Sequence, residues 1–123
     1  MSSAATVARI LMGAAFFVFG LNGFLHFLPN PDPPPKAAEF LKALEATRYM
    51  IPLISGTQVL VGALLVTGVA VPLALVMAAP LLVNIVAFHV FILPAGIAPG
   101  LVLTACELVL ARACWSRLRP LFT

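Results

Sequence analysis

With 123 residues, 63% of them hydrophobic, 9% charged and a mean hydropathy of +1.14, the chain lies well above the roughly 45–50% apolar usage of soluble domains. A water-soluble globular class is excluded. The formal net charge of +3 is what basic residues flanking membrane spans supply as anchors on an anionic leaflet, so no nucleic-acid partner is expected.

The first apolar run, Ile10 to Leu28, follows a single basic residue, Arg9, and has no small-x-small cleavage site after its core. It reads as a retained first span rather than a secretory signal. Pro29-Asn30-Pro31-Asp32-Pro33-Pro34-Pro35 must end it, because proline lacks an amide donor and restricts the residue before it. From Lys36 to Arg48, Ala37, Phe40, Leu41 and Leu44 recur at helical spacing opposite Lys36, Glu39, Lys42 and Glu45. This predicts a short amphipathic helix lying at the interface.

From Tyr49 to Cys106, 58 residues contain no Asp, Glu, Lys or Arg. At about 20 apolar residues per crossing, that stretch holds more than two spans. The second runs from about 50 to 67 and reverses at Gly68-Val69-Ala70-Val71-Pro72, which makes spans two and three antiparallel neighbours. The third, about 71 to 93, carries Pro80, where a kink is expected. After Pro94-Ala95-Gly96-Ile97-Ala98-Pro99-Gly100, the fourth runs from about 101 to 115, ahead of a basic tail with Arg117 and Arg119. The expected architecture is all-α: one domain, residues 1–123, forming an integral-membrane four-helix bundle.

Four spans put both termini on one side. That side carries Arg9, Arg112, Arg117 and Arg119 against Lys36, Lys42 and Arg48 on the other, so the rule that counts Lys and Arg favours cytoplasmic termini. The expected location is a multi-pass protein of a bacterial inner membrane. Cys106 and Cys114 fall eight residues apart on one helix, about 12 Å along its axis, beyond the roughly 7 Å that a disulfide spans. Gly13 and Gly20 share a face of span one, and Gly56 and Gly62 lighten span two. Small residues permit close helix approach, within one chain in the simpler case and in a homo-oligomer otherwise.

The polar residues within the spans are the candidates for chemistry. Asn22 and His26 near the end of span one, Gln58 in span two, Asn84 and His89 in span three, and Thr104 and Glu107 in span four all fall toward the first-loop side on these boundaries. An ionisable group in hydrocarbon costs roughly 2.5–3.5 kcal/mol on insertion scales and usually faces the bundle interior or a wet cavity. Glu107 therefore requires a partner: His26, His89, a shared proton, a bound cation or an amide. One reading gathers the set into a polar pocket, with Glu107, His26 and His89 as catalytic groups and Asn22, Gln58, Asn84 and Thr104 as ligand contacts. The other has each residue hydrogen-bonding between spans for stability alone. Asn84 and His89, five apart, cannot both point straight inward on an ideal helix. Two histidines at similar depth leave haem or a metal with Glu107 as lesser cofactor options beside a quinone.

The words Phe19-Gly20-Leu21-Asn22-Gly23-Phe24-Leu25-His26-Phe27-Leu28-Pro29, Val71-Pro72-Leu73-Ala74-Leu75, Ala79-Pro80, Asn84-Ile85 and Phe88-His89 resemble the DoxX family of membrane proteins. The resemblance implies a four-helix membrane bundle. It also implies association with quinone-linked sulfur or respiratory oxidoreductases, from whose subunits the family takes its name. Asn22, His26, Asn84 and His89 are the residues that match the family words. Similar sequences often carry Glu where this one has Gln58, which can hydrogen-bond but cannot carry a proton.

Three functions follow for testing. In the first, a redox-associated membrane protein binds a quinone-like ligand in its polar pocket, with Glu107 and a histidine handling protons. No flavin, nucleotide or iron–sulfur signature is visible, so electrons would come from a partner protein or bound cofactor. In the second, the chain is a non-enzymatic anchor or assembly subunit. In the third, it is a small proton-coupled transporter with Glu107 as its coupling carboxyl.

Overall fold

A computed structural model describes residues 1–29 and 32–123. Positions 30 and 31 of the proline-rich loop expected after span one lie outside the described residues. Among the described residues, four helices are long and apolar enough to cross a membrane: α1 (Ser3–Leu25), α3 (Met50–Thr67), α4 (Val71–Phe91) and α5 (Ile97–Ala113), the last extended at its start by a 3-10 turn, Pro94–Gly96. The short α2 (Pro35–Ala46) lies between the first and second, and α6 (Trp115–Leu118) with a 3-10 turn, Arg119–Phe122, follows the fourth. No strand occurs among the described residues.

The spans form a ring in which α1 packs on α3 and α5, and α4 packs on the same two neighbours. Spans two and three, α3 and α4, are in contact as the short turn between them requires. Gly68 closes α3 at φ 77°, and Ala70 precedes α4 at φ 49°. The first of these left-handed positions is the kind that glycine fills without a Cβ penalty.

The α1–α3 seam is the closest. A Cβ on Gly13 would lie 2.9 Å from the Leu65 Cβ and the Val66 nitrogen, and one on Gly20 would lie 2.7 Å from the Val59 nitrogen. Gly62 faces the backbone of Phe17 and Gly13. The glycines thus serve packing within the chain, where the absence of a side chain lets two backbones meet. Ser55, buried among apolar neighbours, completes this seam opposite Gly23.

Three boundaries differ from the sequence reading, one of them the end of α1, which stops at Leu25 rather than Leu28 so that His26 caps the helix instead of lying within the span. Helix α1 begins at Ser3, seven residues before Ile10, with the Ser2 hydroxyl accepting the Ala5 amide at 3.2 Å. Arg9 does not limit the helix because its side chain reaches the last turn of α3, donating to the carbonyls of Leu65 and Val66. Helix α5 begins at Ile97 rather than near Leu101, because Pro99 falls in the first turn, where no intrahelical amide bond is due. Helix α4 continues through Pro80.

The packed core is uneven along the membrane normal. Its buried residues come from the N-terminal part of α1 (Ala5, Ala8, Met12, Phe16), the C-terminal part of α3 (Val61, Leu65), the N-terminal part of α4 (Val71 to Leu82) and the later part of α5 (Leu103, Cys106, Leu110). Most of these lie in the half of the bundle nearer the termini, with Phe16, Leu82 and Leu103 close to its middle. The half nearer the first loop is less filled, and α2 covers it from outside. There the Phe40 and Phe88 rings meet at 5.3 Å, and the Lys36 ammonium donates to the Phe91 carbonyl at 3.1 Å.

Candidate functional site

The seven candidate residues occupy four distinct places. At the end of α1, His26 takes the left-handed C-cap position at φ 52°, where its own amide donates to the Asn22 carbonyl at 2.9 Å. Histidine is one of the few residues enriched in that conformation. Its side chain is exposed. The Asn22 side-chain oxygen accepts the Leu28 amide at 2.8 Å, so Asn22 stabilises the exit of the chain from α1.

Gln58 and His89 are brought together. Both line a cavity of about 280 Å³ to which all four spans contribute, with Phe16, Phe19, Ile85 and Leu103 as apolar wall and Gly96, Pro99 and Gly100 at the start of the fourth span. His89 shares a face of α4 with Ile85, four residues away. Its Nδ1 lies 3.1 Å from the Leu93 carbonyl. A carbonyl only accepts, so Nδ1 carries a proton, and of the two neutral tautomers the contact selects the one with Nε2 as the lone-pair nitrogen. Gly96 makes room for the imidazole, since a Cβ there would lie 2.8 Å from Cε1.

Asn84 is exposed on another face of α4 and lines a groove of about 380 Å³ under α2, with Phe40, Leu44, Met50 and Pro80. The separation of Asn84 from His89 is the one their five-residue spacing requires.

Thr104 and Glu107, one turn apart on α5, open on a groove of about 470 Å³ at the α4–α5 seam. Its remaining walls are Ala79, Leu82, Val83, Val86, Ala87, Val90 and Phe91. Val83, Val90 and Phe91 are exposed on the outer surface of the bundle, so the groove faces the hydrocarbon of the bilayer. The Thr104 hydroxyl donates to the Gly100 carbonyl at 2.8 Å, which leaves its oxygen free to accept. Glu107 Oε2 is buried and has no hydrogen-bond partner among the described residues. Neither histidine supplies one, and His89 opens on a different cavity.

The expected agreement in depth is partial: by position along their helices, Asn22, Asn84 and His89 lie toward the first-loop side, Gln58 and Thr104 near the middle, and Glu107 beyond the middle. The earlier start of α5 moves Glu107 past the midpoint of its helix, and Ala79 near the middle of α4 lies in the same groove. Among the described residues, no three His, Cys, Asp or Glu side chains gather as a metal-binding group. Both cysteines are free and buried.

Sequence reasoning missed Arg9 as a helix-capping cation and Ser55 as part of the glycine seam. For Ser55 a signal existed: it stands seven residues before Gly62, the spacing that also separates Gly13 from Gly20.

The DoxX family model matches residues 4–93. That region includes Asn22, His26, Gln58, Asn84 and His89, while Thr104 and Glu107 lie beyond it. No curated protein and no solved structure matches the chain. With the matched region running from the start of α1 to the end of α4 and a ring of four apolar spans around one core, this chain belongs to the DoxX family.

Proposed function

We propose that this DoxX protein binds a lipid-soluble, quinone-like ligand in the groove between α4 and α5, with its polar head against Glu107. One observation carries the reading: a buried carboxylate oxygen without a protein partner, in an otherwise apolar groove that opens toward lipid. Leaving such a group unpaired costs about 1–3 kcal/mol, so a partner from outside the chain gains by satisfying it. The groove's volume falls within the roughly 300–1,000 Å³ of small-molecule sites, and its composition matches their pattern of apolar walls with few polar groups.

Glu107 suits a quinone head in either protonation state. As an acid it donates to a carbonyl oxygen, and as a carboxylate it accepts from a hydroxyl. The Thr104 oxygen, its own proton committed to Gly100, adds an acceptor one turn away. A quinone held there supplies a two-electron, two-proton acceptor, and a redox partner protein supplies the electrons. The chain's part is to exclude water, orient the head and hold a proton on the Glu107 carboxyl. His89 and Gln58 belong to the interior cavity and contribute a second hydrogen-bonding pair. Residues 1–123 act as one unit, in a bacterial inner membrane with cytoplasmic termini on the Lys and Arg count.

A second reading is a non-enzymatic anchor or assembly subunit. It is favoured by the local use of polar side chains: Asn22, His89 and Thr104 each bond a backbone group within six residues of themselves. The proton-coupled transporter has less support, because Glu107 faces the outer seam rather than the cavity enclosed by four spans.

Mass spectrometry of lipid-soluble molecules retained by gently extracted protein separates the two main readings. The parent and His26→Ala should retain a quinone-class molecule that Glu107→Leu loses while remaining folded. Empty parent protein with a stably co-purifying partner would replace the ligand reading with the anchor.

A further inference from the structure

We propose that the face carrying the chain termini binds an anionic phospholipid, with an acyl chain in the groove between α4 and the C-terminal segment and the phosphate on Arg117. The groove, of about 270 Å³, is lined by Pro72, Leu73 and Val76 from the first turns of α4 and by Arg117, Leu118 and Leu121. Its apolar wall thus starts where α4 begins and descends into the span, while its only charged group, Arg117, stands on the segment after α5 has ended. An apolar slot with a cation at the headgroup level is complementary to a lipid with a negative head.

Charge distribution supplies the second argument. Of the four acids, Asp32, Glu39 and Glu45 lie at the opposite end of the bundle and Glu107 lies within a span. The face with the termini carries four arginines and no acid. Arg9 is engaged with the carbonyls of Leu65 and Val66. Arg112, Arg117 and Arg119 are exposed and are left to set the potential of this face. A soluble acidic peptide or nucleic acid would match the charge alone. The descending apolar groove and the exposed Trp115 and Phe122, whose rings stack at 5.7 Å, match a lipid interface.

Trp115 is the only tryptophan and lies two residues from Arg117, so its fluorescence reports on this site directly. The full-length protein is reconstituted in phosphatidylcholine vesicles, and brominated phosphatidylglycerol or brominated phosphatidylcholine is titrated in as a quencher. The expected relative association constant favours the anionic lipid by roughly fivefold, the contribution of one basic residue near the surface. It falls toward unity in Arg117→Gln and at high salt, and persists in Arg117→Lys. Equal quenching by the two lipids, or a preference untouched by Arg117→Gln, overturns the proposal. If the glutamine variant fails to reconstitute, Arg112→Gln and Arg119→Gln decide instead: the preference persists in both when Arg117 holds the phosphate, and its loss in either overturns the proposal.

Discussion

The Arg9 guanidinium caps the last turn of α3, which ends at Thr67, donating from Nη1 to the Leu65 carbonyl at 2.5 Å and to the Val66 carbonyl at 3.1 Å. A charged residue ahead of a span normally reads as an orientation signal. Here its positive charge also meets the negative end of α3, where the last carbonyls have no intrahelical donor.

Arg9→Gln should therefore destabilise the bundle by about 2 kcal/mol, the range of a hydrogen bond from a charged donor. Arg9→Lys should recover part of the loss, because an ammonium reaches a carbonyl but lacks the guanidinium fork. Reversible unfolding in mixed micelles, compared across the three proteins, measures this. Equal stability of all three would show that the cap contributes nothing.

The glycine seam yields a paired expectation. Gly62→Ala places a methyl group against the Phe17 backbone and the Gly13 carbonyl, which cannot move without separating α1 from α3. A loss of about 1–3 kcal/mol follows from overpacking. Gly56→Ala, on the same helix, meets only the Phe24 ring tip at 3.9 Å and should be neutral or slightly stabilising through helix propensity. A thermal melt in detergent that ranks Gly56→Ala below Gly62→Ala would contradict the seam.

The four spans were legible because hydropathy over about 20 residues is a strong signal. Their ends were less so. Arg9 reads as a basic residue ahead of the first span, but its charge is absorbed by α3 and the helix begins before it. Pro99 reads as part of a loop, but a first helical turn tolerates it. The arrangement of the site was harder still. Depth can be read from position along a span, whereas the direction a residue faces depends on an apolar stripe, and α3, α4 and α5 are apolar nearly all round. Nothing in the pattern therefore directed His89 to the interior and Glu107 to the outer seam. The five-residue offset of Asn84 from His89 was the exception, because it constrains direction rather than depth.

His89 provides a spectroscopic test of the interior cavity. The Leu93 carbonyl fixes Nδ1 as the protonated nitrogen, so nitrogen NMR of labelled protein at a pH where the ring is neutral should show protonated Nδ1 and bare Nε2. Gly96→Ala drives a methyl group into Cε1 and Nδ1 and should shift the tautomer population or broaden both signals. A spectrum with the proton on Nε2 in the parent protein would place the ring differently.

Glu107 is where stability and binding should part. Replacing the carboxyl with a side chain of similar length and no polar head, Glu107→Met, removes an unsatisfied buried oxygen and fills the same apolar groove. The expected result is a gain of about 1–2 kcal/mol in the ligand-free bundle, since an unpaired buried polar group costs that order of free energy. The same variant should lose its affinity for added short-chain quinone, measured by calorimetry in detergent. Opposite signs in the two measurements are the mark of a group retained for binding at the expense of the fold. If Glu107→Met is instead destabilised and keeps its quinone affinity, the carboxyl has a structural partner within the bundle and the groove is not the binding site.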